Sequence, residues 1–410
     1  MKPDFPATYE TILMKFHLTT AILAALLLSG ASAQKARAVD LGIDVLEKNN
    51  FDILRGKRVG LVTNQTGVNS AGEKTRLILK KNVHLVALYT PEHGLDGTDK
   101  AGVEVRSRRD PLTGLTAFSL YGDTRKPTPE MLSGIDVLVF DMQDIGCRSY
   151  TYISTMGKCL EACAEMGKEF IVLDRPNPLG GNRVEGQGID SKWISFVGQF
   201  PIPYVHGMTV GELALMANER GWMGPKAHLQ VVKMHGWSRS MTWPMTGLRW
   251  VAPSPNIPTE MSPNYYVITG VVGELAGGLD QSLYSPRAFQ VLSAPWVKNR
   301  MVSYLRSKCS GIQVDPINTA SGPGVMFRAN PNGGGNLAAA SLYTLAECNR
   351  ESHGLIFSQA SRTKLNLFYK VYGSDQIRAN LATKSPDQIV SSWQPFLNRF
   401  RQERQPFLLY

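Results

Sequence analysis

The chain has 410 residues, 44 Lys and Arg against 34 Asp and Glu, a net charge of +10, and 43% hydrophobic and 19% charged residues. That much apolar material excludes a disordered chain, and the lack of a G-X-Y period or a sustained heptad excludes collagen and coiled coil. The positive charge is scattered, with no run longer than Arg108–Arg109 or Lys80–Lys81. This suits an anionic substrate or a cell surface, whereas nucleic acid calls for a basic stripe with interleaved aromatics.

From Met14 the chain reads MKFHLTTAILAALLLSGASA, a basic start, a short apolar stretch and Ala31-Ser32-Ala33 ahead of Gln34. This pattern predicts a secretory signal peptide over residues 1–33 and a mature protein that is periplasmic or secreted. Ala31 stands where a lipoprotein would carry its lipidated Cys, so no lipid anchor is expected, and no later segment is long and apolar enough to span a membrane. Both Met1 and Met14 are candidate starts.

Strands and helices then alternate. Arg58–Thr63, Val83–Tyr89, Asp136–Asp141, Phe170–Asp174 and His228–Met234 read as strands; Lys74–Lys81, Tyr150–Gly167 and a segment opened by the capping box Thr209-x-x-Glu212 read as helices. The alternation predicts an α/β fold with a Rossmann-like parallel sheet over residues 34–250. After Trp250 the proline-rich stretch Val251–Pro263 reads as an extended crossing, and the glycine-rich Gly270–Gly278 and Asn332–Asn336 as loops. Ala338–Asn349 reads as a helix, and Ser385-Pro386-Asp387-Gln388 opens another that breaks near Pro395. A smaller α+β domain is placed over residues 251–410. The five cysteines, an odd count, read as buried thiols; only Cys309 and Cys348 are candidates for a disulfide.

In open parallel sheets ligands sit at the carboxyl ends of the strands. Here four successive ends carry polar clusters: Asn64-Gln65-Thr66, Thr90-Pro91-Glu92-His93-Gly94, Asp141-Met142-Gln143-Asp144 and Asp174-Arg175-Pro176-Asn177. Their convergence supplies carboxylates and amides, the groups that polyol recognition and glycosidic proton transfer need. Glu92 is the leading general acid/base, with His93 and Asp144 as catalytic partners. Gly94 would let a ligand approach. Asn64, Gln65, Asp141, Gln143, Asp174, Arg175 and Asn177 are candidate substrate contacts, joined by Arg148, Tyr150 and His206, the last ahead of a helix N-terminus. Trp237, Trp243 and Trp250 are either sugar platforms or core. There is no G-x-S-x-G, P-loop, H-E-x-x-H or G-x-G-x-x-G after the first strand, and no zinc-like spacing, so neither metal nor nucleotide cofactor is expected.

The same residues carry a family resemblance. GKRVGLVTNQTGV (Gly56–Val68), LYTPEHGLDG (Leu88–Gly97), VLVFDMQDIGCRSYTY (Val137–Tyr152), LDRPNPLGG (Leu173–Gly181), VEG (Val184–Gly186), PIPYVHGMTVGELA (Pro201–Ala214), PSPNIPT (Pro253–Thr259), APW (Ala294–Trp296) and RQPFLLY (Arg404–Tyr410) resemble the NamZ-type exo-β-N-acetylmuramidases. The resemblance implies a Rossmann-like domain packed on a smaller one, with the active-site cleft between them. It also implies release of N-acetylmuramic acid from the non-reducing ends of peptidoglycan fragments, with the Glu of TPEHG, Glu92, as catalyst. By the same motifs Glu185 and Asn256 join the substrate contacts, and the lactyl carboxylate of the sugar becomes the partner of Arg175, with Asp174 steadying its guanidinium. The chain departs from the family before APW, where it reads GVVGELAGGLDQSLYSPRAFQVLSAPW, with Glu274 displaced.

Overall fold

The computed structural model describes residues 39–410; the expected signal peptide lies outside the described residues. Five runs of apolar residues become the parallel strands β1 (Val59–Thr63), β2 (Leu85–Thr90), β5 (Val137–Asp141), β6 (Glu169–Leu173) and β7 (His228–Val232). Two short strands, β3 (Arg108–Arg109) and β4 (Thr116–Ser119), complete one edge. The order is β3-β4-β2-β1-β5-β6-β7, parallel except for the β3–β4 pair. β1 and β5 are buried along their whole length, as strands covered on both faces must be.

Alternate residues of each strand face opposite layers. Val137, Val139, Ile171 and Leu173 pack with α1 (Gly42–Lys48) and α2 (Thr75–Asn82). Leu138, Phe140, Phe170 and Val172 belong to a larger core. That core takes in α4 (Tyr152–Glu165) and α5 (Val210–Glu219); the one-turn α3 (Pro129–Leu132) precedes β5. Thr209 and Glu212 form the expected capping box. The chain runs from β1 outward to β2 and β4, then returns to the other side of β1, so the topological switch point lies between β1 and β5.

The second part contributes α6 (Ser262–Gly273), α7 (Asn299–Lys308) and α8 (Leu337–Glu351) around an antiparallel sheet of β8 (Val291–Ser293), β10 (Gly322–Ala329) and β9 (Ile312–Thr319). Five further helices end it: α9 (Leu355–Ser358), α10 (Arg362–Tyr372), α11 (Ile377–Thr383), α12 (Pro386–Ser392) and α13 (Gln394–Arg404). The Ser385/Gln388 capping box opens α12, and the chain bends at Trp393, beside Pro395. The larger core continues without interruption from Val62 to Phe400, joining both parts.

The loop expected over Gly270–Gly278 is half helix, because α6 runs through Gly270 to Gly273. Glycine serves space there: a Cβ on Gly273 would lie 1.8 Å from Gln281 Oε1. The Gln281 amide packs in that gap and donates to the Thr269 carbonyl at 2.7 Å. All five cysteines are buried and unbonded, Cys309 and Cys348 included.

The C-terminal residue closes the first part. The Tyr410 hydroxyl donates to Asp174 Oδ2 at 2.7 Å and accepts from the Met234 amide at 2.9 Å, with its ring edge-on to Trp237. Tyr410→Phe leaves the Met234 amide without its partner, while Asp174 Oδ2 keeps the Thr209 hydroxyl, so a loss of about 1–3 kcal/mol is expected. An unchanged urea midpoint would contradict it.

Candidate active site

The strand-end residues divide into groups with different fates. On the α4 side, Glu92 follows β2 and is partly exposed. Its carboxylate accepts from the Gly102 amide and from the Thr151 hydroxyl, both at 2.8 Å, and Thr151 is the residue that opens α4. Tyr150 and Tyr152 lie edge to face at 4.9 Å, and Tyr150 meets Tyr266 of α6 at 6.0 Å. The phenols of Tyr121, Tyr150, Tyr152 and Tyr266 are all held above their ordinary range, by burial first, with the charge of Glu92 adding in each case. Glu92 thus sits among four tyrosines drawn from three separate stretches of chain.

Asn64 and Asp144 belong to the same group, both acting on Tyr152. Among the described residues, Asn64 Nδ2, Asp144 Oδ1 and the Tyr150 hydroxyl are buried without a hydrogen-bond partner. Buried polar atoms of this kind are free to bond a water or a polar ligand. Burial pushes Asp144 up from 3.8 to about 7, against donation from the Gly146 and Ile145 amides. Between those values the folded chain holds a proton that the unfolded chain has released. Asp144 therefore lowers stability as pH rises through that window and has no further effect above it. The stability difference between Asp144→Asn and wild type should shift in the variant's favour from pH 4 to pH 7. Urea unfolding at stepped pH measures it; a pH-independent difference would refute the assignment.

His93 adopts a left-handed backbone (φ 70°), and its Nδ1 lies 2.7 Å from the Asp99 carbonyl oxygen. It shapes the turn that carries Glu92. Gly94 also serves that turn: a Cβ there would lie 2.6 Å from the Asp99 carboxylate, so the glycine makes room for Asp99 and not for a ligand.

On the α2 side, Asp141 and Arg175 form a buried two-point ion pair, Nε to Oδ1 at 2.6 Å and Nη2 to Oδ2 at 3.0 Å. Thr75 of α2 donates to Asp141 at 2.5 Å, and Arg175 Nη2 to the Val68 carbonyl at 2.7 Å. Asp174 does not touch the guanidinium as expected. It accepts from the Arg175 and Gly211 amides, from Thr209 and from Tyr410, fastening the start of α5, and burial pushes it to about 6. Gln65 donates to the Ala252 and Pro253 carbonyls, and Gln143 to those of Asp144 and Pro176. Gln65, Thr66, Gln143, Arg175, Lys74 and Trp243 line a cavity of about 270 Å³ at the switch point, and Glu92 is not on its wall.

The remaining candidates are committed to structure. Arg148 is fully buried and donates to four backbone carbonyls. Asn177 donates to the Met208 carbonyl and accepts from the Leu179 amide. Glu185 pairs with Arg183 at 2.6 Å and caps α8 through the Leu337 and Ala338 amides. Asn256 accepts from the Tyr284 amide. His206 is buried, accepts from the Met208 amide and is pushed down to about 3 by burial and then by Arg404 and Arg148, so it stays neutral and offers no charge to an anion. Trp243 and Trp250 pack edge to face at 4.9 Å, and Trp237 packs on Tyr410. Sequence reasoning missed Tyr121, Thr151 and Tyr266; Tyr266 lies in a helix whose second half read as a loop.

Among the described residues no group of His, Cys, Asp and Glu has metal-ligating geometry, and no helix is long and apolar enough to cross a membrane. Residues 59–261 match the family model for the N-terminal part of the exo-β-N-acetylmuramidase NamZ, and residues 265–410 match its C-terminal part. The chain is 37% identical over 423 residues, 98% of each partner, to the peptidoglycan β-N-acetylmuramidase NamZ of Bacillus subtilis. Two DUF1343 family crystal structures from Bacteroides fragilis share the fold. One has TM-score 0.84 and 42% identity, the other 0.70 and 28%, each covering 91% of this chain and 99% of the other. The chain belongs to the NamZ exo-β-N-acetylmuramidase family.

Proposed function

We propose that this protein is an exo-acting glycosidase that releases N-acetylmuramic acid from the non-reducing ends of peptidoglycan fragments, with Glu92 as its general acid/base. The observation that carries the catalytic assignment is the setting of Glu92. It lies past a strand end, is partly open to solvent, is fixed by two hydrogen bonds and is surrounded by tyrosines. Proton transfer to a glycosidic oxygen needs a carboxyl group held in place beside a surface that can bind a sugar. Asn64 and Tyr150 would contact the sugar through their unpartnered atoms, and Asp144, which keeps a proton to about pH 7, would serve as the second carboxyl group. A periplasmic or secreted location fits a wall-fragment substrate.

The test is turnover of a panel of chromogenic N-acetylmuramic, N-acetylglucosamine and other glycosides. Release from the muramide alone, or much faster than from the others, is the expected result. Activity confined to another sugar would overturn the substrate assignment.

A further inference from the structure

Arg175, the guanidinium that the strand-end pattern offers to an acidic sugar, is met by Asp141 on the α2 side of the sheet. A different arginine packs on Tyr121, just past the end of β4, where the Leu120 amide donates to the carbonyl of Thr90, two residues before Glu92, at 2.8 Å. Arg125 places its guanidinium carbon 3.5 Å from the centroid of the Tyr121 ring and 4.8 Å from that of Phe196. It is partly buried, and among the described residues its side chain makes no ion pair and no hydrogen bond that meets ordinary geometry. The Tyr121 phenol feels both groups: burial raises it first, Glu92 raises it further and Arg125 opposes.

The Tyr121 ring holds the guanidinium by cation–π contact on one face, and the Phe196 ring, its centroid 6.1 Å from that of Tyr121, packs to its side, with no ion pair on the N–H groups among the described residues. A planar, fixed guanidinium with free edges is the group that binds a carboxylate at two points, and it does so with little loss of side-chain freedom. Near Glu92 the sugar's own acid is the anion in reach, because N-acetylmuramic acid differs from N-acetylglucosamine by a lactyl ether that ends in a carboxylate. We propose that Arg125, packed on Tyr121 beside Phe196, is the specificity-determining residue that recognises the substrate's carboxylate. This rests on the glycosidase reading above.

The experiment compares wild type, Arg125→Lys and Arg125→Ala on chromogenic N-acetylmuramide and N-acetylglucosaminide. A hydrogen-bonded charged contact of this kind makes roughly a 10–150-fold difference. Arg125→Ala should therefore lower kcat/KM on the muramide by about that factor, mainly through KM, and change the glucosaminide far less. Arg125→Lys should recover only part, since an ammonium cannot bind at two points. Equal proportional losses on both substrates would mean that Arg125 only supports Tyr121 and Glu92, and would overturn the proposal.

A second measurement does not depend on turnover. Calorimetric binding of free N-acetylmuramic acid and N-acetylglucosamine is compared for Glu92→Gln with and without Arg125→Ala. The acid should bind more tightly, and only to the protein that retains Arg125. Absence of that preference, or its survival without Arg125, overturns the proposal. If wild type fails to cleave the muramide but shows the Arg125-dependent preference, the glycosidase reading fails and the recognition stands.

Discussion

Glu92→Gln is expected to lower kcat on a muramyl glycoside by ~10²–10⁴-fold while leaving the protein folded. The reasoning starts at β2, whose buried run Leu85–Thr90 delivers the chain to a tight turn at the carboxyl edge of the sheet. The positive φ of His93 and Gly94, the Gly94 amide donating to the Pro91 carbonyl and the Asp99 amide donating to the His93 carbonyl hold that turn. Glu92 therefore has one position, fixed from outside by Gly102 and Thr151. Glutamine has the same shape and retains a carbonyl oxygen that can accept from either donor, so the turn should survive. What it loses is the proton that a leaving sugar oxygen requires. Asp144→Asn is the comparison, because Asp144 is buried and pushed up to about 7, so that it is largely protonated at pH 6. Its kcat at pH 6 should fall less than that of Glu92→Gln. Wild-type kcat in a Glu92→Gln protein with an unchanged thermal midpoint would show that Glu92 only braces the turn.

The central strands were legible because each is a short apolar run bounded by polar residues, and burial on both faces demands that pattern. The edge strands β3 and β4 were not, being two and four residues long and partly exposed. The site was legible as an edge of the sheet but not as a set of contacts. Sequence order places Glu92, Asp141 and Asp174 at equivalent strand ends, yet says nothing of which face each side chain turns to. Asp141 turns to α2 and is consumed by Arg175, Asp174 is consumed in fastening α5, and Glu92 turns to α4 and stays open. Tyr266 comes from a distant stretch that only the folded chain brings against Tyr150. The glycines of α6 misled for a related reason: glycine signals a loop when it supplies backbone freedom, but Gly273 supplies room for Gln281.

Arg148→Ala should be the most destabilising of these substitutions and should act through the fold, not through substrate affinity. Arg148 follows β5 and is 0% exposed, and among the described residues it forms no ion pair within 4 Å. Its Nη1 donates to the carbonyls of Gln187 and Ile202 at 2.8 and 2.9 Å, and its Nη2 to those of Val371 and Tyr372 at 3.1 and 2.8 Å. The last two residues end α10, so one side chain pins the first part of the chain to the second. Burying a guanidinium in this way is costly, and burial pulls its pKa down to about 10. Four carbonyl oxygens offset that cost, and all four would lose their partner together. A single buried group left unsatisfied costs about 1–3 kcal/mol. Four of them beside a cavity the size of an arginine place the variant above the ~4–5 kcal/mol that single substitutions seldom reach. The expected result is a protein that is largely unfolded at 37 °C, or one with a sharply lowered urea midpoint. At low temperature its folded fraction should keep the wild-type KM for the muramide. A variant that melts like wild type but shows a raised KM would return Arg148 to the substrate, the role that its place in the motif IGCRSYTY first suggested.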